Sequence, residues 1–406
     1  MLMLHSRLKN ICMGKAKSPT TERPSELSCA PLIKCHLNEI GIYRNFAIMT
    51  RREETKKVMV GTVSIGGDTT ITVQSMSKRP TTDIAGVLNE IESVLLAGGD
   101  IMRVSVPDMD SAKALKEIVK SSPLPIVADI HFDYRLALAS LDAGVHKLRI
   151  NPGNIGKAEY AGLIAREAKT RGIPIRVGVN AGSLPKDLLK KFGGPTPEAM
   201  VEAARREIEI LEEADFTDIV VSLKASSPKL AYEANMLFAE EFSYPIHVGI
   251  TEAGFGYQGI IASSVGSAMI FSAGIGNTFR VSLTEDPATE VRVAREILRF
   301  LGLRDYWVRI ISCPMCARAE TKIDDIARKI WDQTKNIRKP ISIAVMGCVV
   351  NGPGEASHAD IGVACGKGYS LIFSRGKPIK KVPNDRIVEE LMEQIEKFFG
   401  KLESNP

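Results

Sequence analysis

The sequence predicts an α/β protein in two parts, a (β/α)8 barrel of the TIM type followed by a smaller α/β domain. Short β-branched runs alternate with amphipathic helical stretches from about residue 70 to residue 302. Eight such units in roughly 230 residues match a closed barrel in number and length, whereas an open doubly wound sheet rarely contains so many even units. Beyond residue 302 the alternation changes, and cysteines follow two of the predicted strands.

The eight predicted barrel strands are short and rich in valine and isoleucine. They are ITVQSM (71–76), IMRVSV (101–106), PIVADI (125–130), HKLRIN (146–151), PIRVGVN (174–180), DIVVSLKA (218–225), IHVGIT (246–251) and TFRVSL (278–283). The helix after the first strand has its apolar residues on one face between Ile84 and Leu95. Thr82 or Asp83 is its expected N-cap, and the Gly98-Gly99 pair is its expected end.

The segment after residue 302 has its own series of predicted elements. They are a strand at 308–312, a helix at about 320–335, strands at 341–347 and 360–364, a hairpin within 369–382 and a helix at 385–399. The expected domains are therefore a barrel at 49–302 and a small α/β domain at 303–406.

Residues 1–48 show neither helical nor strand periodicity and lack the apolar core of a secretory signal. A new stretch of sequence opens at Met49 and leads directly into strand-like residues. We expect residues 1–48 to be a disordered extension or the result of a start codon assigned too early.

Composition limits the classes of function. The chain has 406 residues and is 44% hydrophobic, and no apolar run approaches the roughly 20 residues that span a bilayer. The net charge of +5 comes largely from residues 1–48, and aromatic residues are only 6% of the chain, so neither a membrane nor a nucleic acid is an expected partner. Seven cysteines are too sparse for a secreted disulfide framework and favour a reducing cytoplasm.

Polar residues are numerous at the ends of the predicted barrel strands. In such barrels the chemistry lies at the carboxyl ends of the strands. The residues collected there are Arg103, Asp129, His131, Arg149, Asn151, Arg176, Asn180, Ser222, Lys224, Glu252, Arg280 and Ser282. The 149/151, 222/224 and 280/282 pairs have period two, so both members of each pair face the same side of the sheet.

Five of these residues are cations, and we expect them to converge inside the barrel. Burial of unpaired guanidinium and ammonium groups costs several kcal/mol each, and Asp129 with Glu252 can offset at most two of them. The excess predicts a ligand with several negative charges, most simply a diphosphate. Alternatively, individual arginines point outward and pair with helical glutamates. The turn NPGN (151–154) could present backbone N–H groups to phosphate or could be a plain turn.

Three cysteines after the barrel have a spacing that suits an iron-sulfur cluster. Cys313 and Cys316 lie in SCPMCAR, and Cys348 lies in VMGCVVNGPGE. Structural zinc generally needs four Cys or His ligands, whereas three thiolates suit a [4Fe-4S] cluster with a weaker fourth ligand. Glu355 and Cys365 are both candidates for that ligand, although Cys365 could instead be a small buried apolar residue. A structural zinc site remains the alternative, and the CxxxCxxC motif of radical enzymes is absent from the sequence.

Eleven motifs closely resemble the family of 4-hydroxy-3-methylbut-2-en-1-yl diphosphate synthases, of the bacterial two-domain type. They are VQSM (73–76), TTD (81–83), RVSVP (103–107), VADIHFDYR (127–135), LRINPGNIG (148–156), RVGVNAGSL (176–184), SLKAS (222–226), GITEAG (249–254), RVSL (280–283), CPMCAR (313–318) and GCVVNGPGEA (347–356). The resemblance extends from about Val58 to the C-terminus. CPMC stands where CPTC or CPSC is more usual, and Cys365 stands where a small residue is expected.

The resemblance implies reductive ring opening and dehydration of 2-C-methyl-D-erythritol 2,4-cyclodiphosphate in the methylerythritol phosphate pathway of isoprenoid biosynthesis. Two electrons from ferredoxin or flavodoxin would pass through a [4Fe-4S] cluster held by Cys313, Cys316, Cys348 and Glu355. The strand-end residues would bind substrate, together with Asn351 of the cluster loop. Glu252 would be a proton donor, and two chains would form a head-to-tail homodimer. The competing hypothesis is a non-catalytic anion-binding barrel with structural zinc.

Overall fold

The computed structural model describes residues 51–400 except 306, 318, 320, 336, 349–353 and 355. The predicted extension at 1–48 and the predicted site residues Asn351 and Glu355 lie outside the described residues. Among the helices of the described ranges, none is both long enough and apolar enough to cross a membrane.

Eight parallel strands form a barrel, as predicted. A preceding antiparallel hairpin consists of β1 (Val58–Val60) and β2 (Val63–Ile65). The barrel strands are β3 (Thr72–Met76), β4 (Ile101–Ser105), β5 (Ile126–Asp129), β6 (Lys147–Ile150), β7 (Ile175–Asn180), β8 (Ile219–Lys224), β9 (His247–Val248) and β10 (Thr278–Phe279). They are hydrogen-bonded in the order β8-β7-β6-β5-β4-β3-β10-β9. A parallel bridge between Val221 and Ile246 links the two end strands and nearly closes the barrel.

Helices surround the barrel strands. They are α1 (Ile84–Leu96), α2 (Met109–Ser121), α3 (Tyr134–Asp142), α4 (Ala158–Arg171), α5 (Lys186–Phe192), α6 (Pro197–Glu212), α7 (Pro228–Glu241), α8 (Gly256–Ser272) and α9 (Pro287–Phe300). Asp83 is the N-cap of α1 and accepts a hydrogen bond from the Gly86 N–H, as one of the two predicted caps. Helix α5 was not predicted.

The last two barrel strands are shorter than predicted. Strands were expected at 246–251 and 278–283, but β9 and β10 have two residues each. One further hydrogen bond, from the Arg280 N–H to the Val248 carbonyl, joins the segment after β10 to the end of β9. Beyond it the backbones approach too closely for a side chain, since a Cβ on Gly249 would lie 2.4 Å from the Arg280 oxygen. Arg280 and Ser282 therefore lie on the segment after β10 and not within a strand.

The β1–β2 hairpin closes the amino-terminal end of the barrel. Val60 and Ile65 are fully buried in one apolar cluster with Ile101 of β4 and Val127 of β5. The sequence analysis recognised strand-like residues here but not this role, because the hairpin has no counterpart in the βα repeat. The hairpin covers the amino-terminal end of the barrel interior, so we expect ligands to enter from the carboxyl-terminal face.

A five-stranded sheet follows the barrel. Its strands, in spatial order, are β11 (Arg309–Ser312), β12 (Ser342–Met346), β13 (Ile361–Cys365), β14 (Tyr369–Ser374) and β15 (Lys377–Pro383). The first three are parallel and the last two form the predicted hairpin. Helices α10 (Ile323–Thr334) and α11 (Ile387–Phe399) share an apolar cluster with one face of this sheet.

We predict that replacing Ile65 with alanine destabilises the protein by about 2–5 kcal/mol, because it opens a cavity among fully buried side chains. The midpoint of denaturant unfolding measures the effect. Met59 lies on the same hairpin and is half exposed, so Met59→Ala is the matched control and should change the midpoint little. Equal effects of the two substitutions would show that the hairpin does not close the barrel.

Candidate active site

The five predicted cations all lie in the barrel interior. Arg149, Arg176 and Lys224 are buried, and the side chains of Arg103 and Arg280 are only 12% exposed. Arg149 is the direct register neighbour of Arg176 across β6 and β7. Each of these groups acts electrostatically on others of the set. The alternative that individual arginines point into the helix layer is therefore wrong for Arg103, Arg149 and Arg176, whereas Arg280 does pair with a helical glutamate, Glu290.

Asp129 is the central carboxylate of the cluster. Its oxygens lie 3.5 Å from Nε of Arg149, 3.9 Å from Nε of Arg103 and 3.5 Å from Nε2 of His131. Burial alone would raise the pKa of Asp129, but attraction to Arg103, the contact with His131 and attraction to Arg149 hold that pKa well below its usual value. Asp129 is therefore an anion that keeps neighbouring cations in place.

Glu290 is a second buried carboxylate, which the sequence analysis missed. It lies in the first turn of α9 and is 1% exposed. Its oxygens accept hydrogen bonds from the Ser75 hydroxyl at 2.9 Å and the Leu283 N–H at 3.1 Å, and lie 3.3 Å from Arg280 and from Lys78. An acidic residue in a first helical turn is ordinarily an exposed partner of the helix dipole, so no local pattern distinguishes Glu290 as a buried residue.

Burial among like charges makes the site strongly electropositive. Desolvation, with a smaller effect of Arg280 and Arg149, lowers the pKa of Arg103 to about 10 despite the attraction of Asp129. Desolvation and the neighbouring Arg176 and Arg280 hold the pKa of Lys224 well below its usual value. Two carboxylates face five cations here, and such a pocket gains stability when an anion enters it.

Two glycines provide the space that the cations occupy. A Cβ on Gly178 would lie 2.9 Å from the Arg149 guanidinium, and a Cβ on Gly249 would lie 2.9 Å from Nζ of Lys224. Each glycine lies on the strand or segment next to the cation that it accommodates. Both glycines lie within the motifs named above, but their role depends on which strands are neighbours and is not visible in the sequence.

Several predicted polar residues have structural contacts. The side-chain amide oxygen of Asn151 accepts a hydrogen bond from the Gly178 N–H at 3.2 Å. The Ser222 hydroxyl donates a hydrogen bond to the Val177 carbonyl at 3.4 Å. In the NPGN turn, the Gly153 N–H donates to Glu207 at 2.6 Å. That N–H is therefore engaged, which favours the plain-turn interpretation of NPGN.

The remaining predicted residues lie at the mouth of the barrel. Asn180 is the register partner of Lys224, and Ser282 is partly buried. The His131 side chain is 53% exposed. Glu252 is exposed and has a φ of 53°, a left-handed conformation that is uncommon for a residue with a side chain. Glu252 lies outside the buried cation cluster, so the expectation that it compensates one of the buried cations is wrong. Glu290 supplies the second compensating charge instead.

The cysteines lie at one edge of the second sheet. Strands β11 and β12 are parallel with Ser312 opposite Val345, so the segments carrying Cys313 and Cys348 leave the sheet at the same edge. The Gly347 N–H donates to Sγ of Cys313 at 3.2 Å. Cys313 and Cys348 are partly buried and Cys316 is exposed. Within the described residues no three Cys, His, Asp or Glu side chains are grouped closely enough to hold a metal ion.

Cys365 has a different environment from the other three. It is fully buried at the end of β13, in the apolar cluster with Ile343 and Val363. This packing agrees with the small apolar role that was one of its two predicted interpretations. The other candidate for the fourth cluster ligand, Glu355, lies outside the part of the chain that the structure describes.

Two family models match the chain, the GcpE TIM-barrel domain over residues 55–295 and the GcpE protein C-terminal domain over residues 309–397. The chain belongs to the GcpE family. A relative from Thermodesulfovibrio yellowstonii, named 4-hydroxy-3-methylbut-2-en-1-yl diphosphate synthase (flavodoxin), is 51% identical over 86% of this chain and 100% of the relative. A relative of the same name from Aquifex aeolicus is 49% identical over 86% of this chain and 98% of the relative.

GcpE membership covers both the cationic barrel and the sheet with the cysteines. Among solved structures, the dihydropteroate synthase of Yersinia pestis matches 61% of this chain and 98% of its own chain, with 11% identity and a TM-score of 0.43. A likeness of that level carries no argument about function.

We predict that Gly178→Ala weakens binding of inorganic pyrophosphate about tenfold or more, because the added methyl group displaces the Arg149 guanidinium and removes a charge-assisted contact. Calorimetric titration of the purified protein measures this affinity. A Cβ at Gly182 meets no atom within 4 Å, so Gly182→Ala is the matched control and should bind normally. Unchanged affinity of the Gly178 variant would contradict the position assigned to Arg149.

We also predict that pyrophosphate binding near pH 8 is accompanied by proton uptake. Burial and the neighbouring cations lower the pKa of Lys224 in the free protein, and an entering anion raises that pKa again. Titration in buffers with different ionisation enthalpies measures the uptake, which Lys224→Met should reduce and Lys229→Met, at an exposed lysine, should not. Equal heats in all buffers would contradict the prediction.

Proposed function

We propose that this chain is an iron-sulfur oxidoreductase that converts 2-C-methyl-D-erythritol 2,4-cyclodiphosphate to 4-hydroxy-3-methylbut-2-enyl diphosphate in the methylerythritol phosphate pathway. The observation that carries the proposal is the excess of buried cations over carboxylates inside a barrel open at one end. Membership of the GcpE family and the names of relatives about 50% identical support the same reaction.

The proposed reaction increases the negative charge on the diphosphate, which the site must stabilise. The cyclic diphosphate dianion takes up two electrons and one proton and yields the open diphosphate trianion and one water. The ring C–O bond breaks, the neighbouring hydroxyl leaves as water, and a carbon-carbon double bond forms. Because one further negative charge develops on the diphosphate, fixed cations stabilise the product side of the reaction more than the substrate side.

The barrel residues have distinct roles in this proposal. Arg103, Arg149, Arg176, Lys224 and Arg280 bind the diphosphate oxygens. Asp129 and Glu290 orient these cations from behind, through the contacts described above. Asn151, Asn180, Ser222, Ser282 and His131 complete the substrate-binding surface. Glu252, exposed at the mouth of the barrel, donates the proton to the departing hydroxyl.

We assign the cofactor as a [4Fe-4S] cluster, which Cys313, Cys316, Cys348 and Glu355 would hold, and we assign Asn351 as a further substrate-binding residue. Three cysteine thiols near one sheet edge are the donor type that such a cluster requires, and the N–H···Sγ hydrogen bond from Gly347 to Cys313 is typical of ligating sulfur. The cluster, when bound, supplies single-electron transfer to the substrate.

The electron donor in this proposal is a flavodoxin, as in the names of the relatives, or a ferredoxin. Two chains form a head-to-tail homodimer in which the cluster domain (303–406) of one chain covers the barrel (49–302) of the other. Phe132 and Phe255 are 75% and 68% exposed on loops at the mouth of the barrel, and such apolar side chains suit a covered surface. The scarcity of cysteines favours the cytoplasm as the location.

We predict that Cys348→Ser abolishes cluster assembly, whereas Glu355→Ala retains most of the iron and sulfide but loses turnover by about a hundredfold or more. Anaerobic iron and sulfide analysis and a turnover assay on the cyclic diphosphate with reduced flavodoxin measure the two effects. Cys365→Ala is the matched cysteine control and should retain cluster and turnover. Full activity of the Glu355 variant together with loss of the cluster in the Cys365 variant would reverse the assignment of the fourth ligand.

The same preparation separates this proposal from the anion-binding barrel with zinc. The proposed enzyme is brown when purified without air, contains iron and sulfide, and forms the open diphosphate. A colourless protein with one zinc per chain, or a brown protein that leaves the cyclic diphosphate unchanged with a competent reductant, would overturn the proposed function.

A further inference from the structure

A second polar layer lies inside the barrel, deeper than the cation cluster of the active site. Lys147 precedes Arg149 by two residues on β6 and therefore faces the same interior, about 7 Å nearer the amino-terminal end of the barrel. His247 of β9 and Gln74 of β3 also face this interior. All three side chains are 0–1% exposed, as is Arg176. The substrate-binding roles proposed above use none of Lys147, His247 and Gln74.

The polar atoms of this layer lack partners within the described part of the chain. Nζ of Lys147, Nε and one terminal nitrogen of Arg176, and Nε2 of His247 are all buried without a hydrogen bond. The side-chain amide nitrogen and oxygen of Gln74 are also buried without a hydrogen bond. Buried N–H groups in folded proteins are nearly always hydrogen-bonded, so four side chains with open hydrogen-bonding positions in one interior indicate a common partner.

The layer lies in a positive electrostatic potential. The two interior carboxylates described above are engaged nearer the mouth, Asp129 with Arg103 and Arg149, and Glu290 with Arg280. Asp129 also attracts Arg176, but neither carboxylate acts on Lys147. The charged groups that act on Lys147 are Arg176 and Arg103, both cations. Desolvation and these two cations hold the pKa of Lys147 well below its usual value, and burial does the same to His247. A bound anion would reverse both effects.

The floor of this layer is closed and apolar. Val127 is the register partner of Lys147 on β5, and it belongs to the cluster that the β1–β2 hairpin forms with Val60 and Ile65. A ligand of the layer is therefore shielded from bulk water on the amino-terminal side and has the active-site cations above it. Only a small ligand fits such a position, because the surrounding strands are filled with side chains.

We propose that Lys147, Arg176 and His247, with the Gln74 amide, form a buried site for a small monovalent anion of the halide class beneath the substrate pocket. Water alone would satisfy the hydrogen bonds, whereas an anion accepts the same hydrogen bonds and is also attracted by the positive potential of Arg176 and Arg103. The site requires neither the cluster nor the cyclic diphosphate, although Arg176 also binds the diphosphate in the proposed reaction.

Crystals of the anaerobically purified holoenzyme grown in sodium bromide test the site directly. We expect an anomalous bromide peak within hydrogen-bonding distance of Nζ of Lys147 and Nε2 of His247. Density at this position without an anomalous signal would mean ordered water and would overturn the proposal. This measurement needs no variant, so it decides the question even if a substitution at Lys147 impairs folding.

Thermal unfolding tests whether the anion belongs to the folded state. In sodium chloride, compared with sodium gluconate at equal ionic strength, the wild-type protein should unfold about 2–5 °C higher, and Lys147→Met should lose this difference. Lys229→Met removes an exposed lysine and should retain it. A bromide peak with the same chloride response in Lys147→Met and wild type would indicate an adventitious ion only, and no chloride response in wild type would also overturn the proposal.

Discussion

The concentration of positive charge inside a closed barrel is the constraint on which the rest of this structure depends. Five active-site cations and Lys147 occupy an interior that apolar side chains fill in most barrels of this type. Asp129 and Glu290 compensate part of the charge through contacts of 3.3 to 3.9 Å. The protein retains the remaining positive charge, and an anionic ligand is the physical reason for retaining it.

Backbone features make this arrangement possible. Gly178 and Gly249 leave room for Arg149 and Lys224, and the short strands β9 and β10 bring the segment with Arg280 close to Glu290. The β1–β2 hairpin keeps water from the opposite end, which lowers the local dielectric constant and strengthens every charge interaction above it. A pocket with one opening and fixed cations suits a substrate that gains negative charge as it reacts.

The second sheet serves a different purpose. Parallel strands β11 and β12 deliver the segments of Cys313 and Cys348 to one edge, while Cys365 lies among apolar side chains at the end of β13. The sheet thus separates cysteines that can act as ligands from one that packs. Together with the barrel, it divides the proposed chemistry into anion binding by one part of the chain and electron transfer by the other.

The sequence by itself determined the (β/α)8 barrel, the small second domain, the five cations and the cysteine spacing, because strand and helix periodicity and the side-chain types at strand ends are local properties. It could not determine that Glu290 rather than Glu252 compensates the cluster, that Lys147 joins the interior, or that the β1–β2 hairpin closes the barrel. These facts depend on which strands are neighbours and which side chains meet across the barrel, and the contacts concerned join residues as far apart as Ser75 and Glu290. Only the closed tertiary structure brings such residues together, so only it decides how the charges balance.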